Sequence, residues 1–369
     1  MKTNTGVLPS RIHSLDTLRG IAALSVVLWH WQHFFYSANK PGVYEIERQP
    51  FYDSLSMFYR HGSLAVELFF CISGFVFFWL YSRKISSGNI SPAKFFIDRF
   101  SRLYPLHIIT FLIVAALQLY YIKINQSYFI YQLNDIYHAL LNIFLIPSWG
   151  FENGYSFNGP IWSVSIEAML YCVFFVICIR NSSIIFLTSC LIGFGLFIYP
   201  DSHKIGIGFL AFFCGGAAFI ALEKAIKIFG RRIAAITSIV IAFAALSYLI
   251  LSTQINILIL TGLIFPTLIT ALISIELLIP KLFTRTTFIG DLSYSSYLIH
   301  FPLQIVFAIV FDHFGFNRSI FYSLWMLPLF MAILIPLSFA SHRLFEVPAQ
   351  RAIRSAFRKR AEKKMLAAQ

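Results

Sequence analysis

Charge is scarce in this chain. Asp, Glu, Lys and Arg make up 12% of its 369 residues, against roughly a quarter in an ordinary soluble domain. With 58% hydrophobic residues and a mean hydropathy of +0.73, that scarcity excludes a soluble globular protein. Acidic residues are scarcer still, 16 against 29 Lys and Arg, for a net charge of +13. Such an excess invites a nucleic-acid reading. The basic residues, however, gather in short stretches between apolar runs, as membrane insertion and anionic headgroups produce, so no nucleic-acid partner is expected. The five cysteines, Cys71, Cys172, Cys178, Cys190 and Cys214, all fall in apolar segments with no CxxC pair. They read as buried thiols, which excludes a disulfide framework, and no metal site is expected. Internal repeats, low-complexity linkers and room for a soluble catalytic domain are also missing.

What is present is long hydrophobic runs. The first, SLDTLRGIAALSVVLWHWQHFFY (14–36), ends in aromatics rather than small residues and leads straight into polar sequence, so it reads as a retained helix and not a cleaved leader. Nine further runs near 62–82, 104–122, 160–179, 184–200, 205–222, 233–251, 256–278, 288–311 and 320–342 approach the ~20 residues a bilayer core requires. An eleventh stretch, 132–147, is shorter and more polar. The stretches 83–102, 223–232 and 280–287 and the tail from Arg343 are basic, whereas 37–61, 123–159, 201–204, 252–255 and 312–319 carry little basic excess. Ten crossings place every basic stretch on the cytoplasmic side and leave 132–147 in the outer interface or re-entrant. The expectation is an all-α polytopic bundle of about ten spanning helices with both termini cytoplasmic: a transmembrane domain over 1–345 and a basic tail over 346–369.

Function is then sought in polar residues placed inside the bilayer, where they are costly. Arg19 and His30 are eleven residues apart, about three helical turns plus 20°, which puts them on one face some 16 Å apart along the axis. Glu167, in NGPIWSVSIEAMLY, lies about 10 Å below the outer end of its helix, near the depth of His30, with Ser163 and Tyr171 on the same face. A carboxylate that orients an imidazole and balances its charge is what base catalysis on a hydroxyl needs. Glu67 and His300 are also deep, and a packing role competes with function for each. Arg99 and Arg102, spaced i,i+3 at the cytoplasmic edge, have the forked geometry to grip phosphates; plain topogenesis is the competing reading.

LDTLRGIAALSVVLWH, VELFFCISGFVFF, FFIDRFSRLYPLH, GPIWSVSIEAMLY, LSYSSYLIHFP and FEVPAQR occur here in the order in which similar motifs occur in the acyltransferase-3 family of integral membrane acyltransferases. The resemblance covers nearly the whole chain. It implies an enzyme of the bacterial inner membrane that takes an acyl group, usually acetyl, from acyl-CoA and places it on a carbohydrate or glycolipid acceptor, with acyl-CoA as substrate and no permanently bound cofactor. Carried over by motif, Arg19, Arg99 and Arg102 would contact the donor and His30 and Glu167 would be catalytic. Ser163, Tyr171, Glu67 and His300 stand as candidates for acceptor binding or support. The rival expectation is a proton-coupled carrier, since intramembrane His and Glu also build proton relays.

Overall fold

The computed structural model describes residues 8–37, 40–42, 44–180, 183–252 and 254–366. The outermost residues of the two expected domains, 1–7 and 367–369, lie outside them. Apart from a two-residue antiparallel pairing of Tyr36–Ser37 with Lys40–Pro41, the regular elements among the described residues are helices. The main ones are α1 (His13–Trp29), α2 (Ala65–Ser86), α3 (Pro92–Asn125), α4 (Ile161–Ile179), α5 (Ile184–Ile198), α6 (His203–Leu251), α7 (Phe265–Leu278), α8 (Ser293–His313), α9 (Met326–Ala340) and α10 (Val347–Leu366).

Seven helices among the described residues are long and apolar enough to cross a membrane: Tyr52–Ser86, Pro92–Asn125, Ile161–Ile179, His203–Leu251, Ile257–Leu278, Ser293–His313 and Met326–Lys363. The protein is a multi-pass membrane protein. α1 and α5 are shorter apolar helices of 17 and 15 residues. Straight, the 49 residues of α6 would run about 74 Å, more than twice the ~30 Å bilayer core. Gly230 breaks it with φ 80° and ψ 164°, a conformation glycine adopts without strain, and the two arms match the apolar runs 205–222 and 233–251. Each of the ten runs thus overlaps a helix. The eleventh stretch forms Ile136–Ile143, capped by Asp135; its eight residues rise about 12 Å, too little to span.

The chain divides into two compact units. The first comprises residues up to Ala22, Leu64–Asn89 and Met169–Asp291. Here α2, α5 and α7 pack on α6. The crossing of α2 and α6 is close because glycines face backbone: a Cβ on Gly74 would lie 1.8 Å from the Phe212 carbonyl oxygen, and one on Gly215 1.9 Å from that of Cys71. Small residues serve this purpose in membranes, where helix association depends on packing. All five cysteines are free; Cys71, Cys178 and Cys214 are buried, but Cys172 and Cys190 lie on exposed helix faces rather than in the core.

The second unit comprises Ala23–Ser63, Ile90–Ala168 and Leu292–Gln369. In it α8 packs on α3 and α9, and α10 on α3. One core cluster gathers Trp31, Phe34, Phe321 and Phe330, with the Phe34 and Phe321 rings stacked at 3.8 Å. A second gathers Phe111, Phe129, Phe157 and Phe301. Between them these clusters hold the first turn after α1 and the middle of α8 in fixed positions.

Candidate active site

α1 stops at Trp29, and His30–Phe35 continues as a 3₁₀ turn. In an α-helix residues i and i+3 differ by about 60° in direction, whereas with three residues per turn they eclipse. The tightening therefore brings His33 over His30, with ring centroids 4.6 Å apart and the ring planes tilted by 46°. From α8, His300 lies 4.9 Å from His30 with the ring planes 26° apart, and His300 Nε2 is 3.1 Å from His30 Nδ1. All three imidazoles are buried.

The protons can be placed from the fixed acceptors. His300 Nδ1 lies 3.2 Å from the Ser296 carbonyl oxygen, which only accepts, so Nδ1 carries the proton. In the neutral ring Nε2 is then an acceptor, and His30 Nδ1 donates to it. His30 is left with its lone pair on Nε2. A second chain fixes His33. Gln304 Nε2 donates to the His30 carbonyl oxygen at 2.8 Å, which turns Gln304 Oε1 towards His33 Nδ1 at 3.2 Å. His33 Nδ1 therefore donates, and its lone pair is also on Nε2. Two buried imidazoles each present an unprotonated Nε2, and each Nδ1 is tied through one side chain to a main-chain carbonyl.

The other candidate residues fall as follows. Ser163 lies 2.7 Å from the Tyr297 hydroxyl, which donates to the Pro160 carbonyl at 2.8 Å; the Tyr297 ring is 6.0 Å from His300. Ser163 is thus joined to the histidine cluster through Tyr297. Glu167 is half-buried one turn further along α4. The titratable neighbours that act on His30 include His33 and His300, and His300 is the one that meets His30 Nδ1. In the first unit, Tyr171 stacks on Phe77 at 4.2 Å, and Arg19 is half-buried on α1. Glu67 there is buried near the start of α2, with Oε2 lacking a hydrogen-bond partner.

Arg99 and Arg102 are half-buried on α3. Arg102 acts electrostatically on Glu346, a buried carboxylate bonded to Ser295. Beside them Arg354 of α10 pairs with Asp98 at 3.1 Å and donates to Ser101 Oγ at 3.0 Å. A third guanidinium thus joins the two expected at this edge. Sequence reasoning missed His33, Gln304, Glu346 and Arg354. Gln304 had a signal, since it follows His300 by four residues on one helix face; His33 had none, because its alignment depends on the 3₁₀ turn.

The family profile described as an acyltransferase domain matches residues 12–343. Protein 2 in the picA locus of Rhizobium radiobacter is 37% identical over 108 residues, 29% of this chain and 46% of that protein. Acyltransferase MdmB of Streptomyces mycarofaciens is 32% identical over 168 residues, 44% of this chain and 38% of that protein. The matched stretches span less than half of either relative. No solved structure matches the chain.

Proposed function

The chain belongs to this acyltransferase family, and from that premise we propose that it is a membrane O-acyltransferase moving an acyl group, acetyl by preference, from acyl-CoA to a hydroxyl of a carbohydrate or glycolipid acceptor. The observation that carries the reading is the chain of hydrogen bonds from the Ser296 carbonyl through His300 to His30 Nδ1, which leaves His30 Nε2 as a base. Nε2 takes the acceptor hydroxyl's proton as the oxygen attacks the thioester carbonyl. The C–O bond forms, the C–S bond breaks, and the proton passes from Nε2 to the departing thiolate. His300 orients the ring throughout. Because it is neutral, it adds no charge that would tie the proton to His30. Glu167 is assigned the balancing of charge while His30 is protonated.

Arg19, Arg99 and Arg102 are proposed as contacts for the donor's phosphates, with a planar fork for bidentate contact. Placement in a bacterial inner membrane, with both termini cytoplasmic, agrees with the basic stretches noted above.

The test is transfer of radiolabelled acetyl from acetyl-CoA to a glycan acceptor by detergent-purified protein. His30→Ala should lower kcat about 10²–10⁴-fold while the protein remains folded. A folded His30→Ala protein with near-normal transfer overturns the assignment. Acceptor flux across vesicles without acylation favours the carrier instead.

A further inference from the structure

Beyond the base itself, a line of aromatic rings leads from the histidine cluster to the surface of the second unit. His33 meets Tyr36 at 5.7 Å, Tyr131 at 6.0 Å and Phe301 at 5.9 Å, each edge to face. Tyr131 in turn meets Tyr155 at 5.7 Å. Exposure rises along this line from 5% at His33 to 43% at Tyr155, with Tyr36 and Tyr131 half-buried between.

The segment that holds Tyr131 is built with strain. Ile130, just before it, has φ 62°, and Phe157 has φ 45°. A β-branched residue in that region is a genuine outlier and persists only where its surroundings hold it. Asn134 does so, donating through Nδ2 to the Tyr131 carbonyl at 2.8 Å and accepting from the Phe157 N–H at 2.6 Å. Gly159 leaves space for the ring; a Cβ there would lie 2.3 Å from it.

We propose that Tyr36 and Tyr131 beside His33, with Tyr155 beyond Tyr131, form the acceptor subsite and that it takes a neutral pyranose ring. Such a ring has an apolar C–H face that packs on an aromatic face, and a rim of hydroxyls that pair with phenol oxygens and with an imidazole lone pair. Tyrosine supplies both kinds of surface, and His33 Nε2 supplies the acceptor. Among the described side chains no Lys or Arg belongs to the group, which disfavours an anionic acceptor, and the phenols disfavour a bare hydrocarbon. His33 is adjacent to His30, so a sugar seated here brings a hydroxyl to the base. That last step rests on the acyltransferase reading; the subsite itself does not.

Binding is therefore measured without any acyl donor, by saturation-transfer NMR with methyl hexopyranosides on detergent-purified wild type, Tyr155→Ala and Tyr155→Phe. Tyr155 is exposed enough for both variants to fold. Wild type and Tyr155→Phe should bind, and Tyr155→Ala should bind about tenfold or more weakly. In the transfer assay Tyr155→Ala should raise the acceptor KM and leave kcat and the acetyl-CoA dependence unchanged. Equal binding by Tyr155→Ala, or no pyranoside binding by wild type, overturns the subsite. Pyranoside binding with no acyl transfer supports the subsite and counts against the acyltransferase reading; transfer to a simple alcohol with no pyranoside binding does the reverse.

Discussion

Replacing His300 by Phe isolates the role assigned to its imidazole. The position is fully buried, and a phenyl ring fills nearly the same space, so packing is largely kept. What disappears is the acceptor 3.1 Å from His30 Nδ1. The Val26 carbonyl, which also bonds the His30 ring, remains, so the loss is at most that of a buried donor left without a partner, about 1–3 kcal/mol. The His30 ring recovers that energy by rotating or by shifting its proton to Nε2, and either change removes the base from its working position. If the whole penalty falls on the catalytic arrangement, kcat drops about 5- to 150-fold. His300→Gln is the informative partner, because Gln Oε1 reaches about as far from the backbone as the Nε2 it replaces and accepts a hydrogen bond. It should restore most of the loss. Release of free CoA thiol, followed with a thiol reagent across a range of pH, gives kcat and the donor KM together. The donor KM should not move. A His300→Phe enzyme with wild-type kcat, or a Gln variant no better than Phe, would show that His30 is oriented by something other than this bond.

Glu167→Gln should lower kcat less than His30→Ala does, and full activity at every pH would reduce Glu167 to a packing residue. Arg99→Lys and Arg102→Lys keep the charge that fixes topology but lose the fork, so acetyl-CoA affinity should fall by about tenfold or more per lost charge-assisted bond; calorimetry showing unchanged affinity in both removes the phosphate contact. Gly215→Ala should lower the thermal stability of the detergent-solubilised protein, by about 1–3 kcal/mol for overpacking, because its Cβ would meet the Cys71 carbonyl, whereas Gly193→Ala, with open space at its Cβ, should be neutral or mildly stabilising; equal melting shifts for the two would contradict the crossing described above. At Asp135 the His138 backbone N–H, 2.8 Å away, and then the His138 ring hold the carboxyl below the usual carboxylate range. Its stabilising effect is therefore complete above the unfolded value of about 3.9 and is lost as pH falls through the lower folded value. The difference in melting between wild type and Asp135→Ala, about 0.5–2 kcal/mol for a cap and at the low end for so exposed a group, should narrow between pH 7 and pH 3; a constant difference would contradict the cap.

The helices were legible because bilayer length and apolar runs speak directly to each other. Even the break in α6 was visible, as the basic stretch at 223–232 separates two runs of spanning length, with Gly230 inside it. The histidine cluster was legible only in part. Reading residues 14–36 as one continuous helix gives His30 its depth but hides His33, since 100° per residue sends the two rings in different directions. The 3₁₀ turn that eclipses them is set by tertiary packing of Trp31 and Phe34 against Phe321 and Phe330, and no local signal in HWQHFF announces it.

The same limit leaves the group that orients His30 Nδ1 open in the sequence. Depth along a helix axis can be counted from sequence, but azimuth between helices cannot, so any acid at the right depth qualifies. The structure gives the Nδ1 contact to His300, and this changes the chemistry expected at the base. A carboxylate partner would stabilise the imidazolium and hold its proton. A neutral imidazole, itself pinned by the Ser296 carbonyl, fixes direction and tautomer while leaving the proton free to move on to the departing thiolate. A reaction that must take a proton from an alcohol and return it to a thiolate, a far weaker base than an alkoxide, is served by a partner that orients Nδ1 without itself being charged, which leaves the balancing of charge to the role proposed for Glu167. On that ground the arrangement of His30, His300 and Ser296 suits acyl transfer from a thioester.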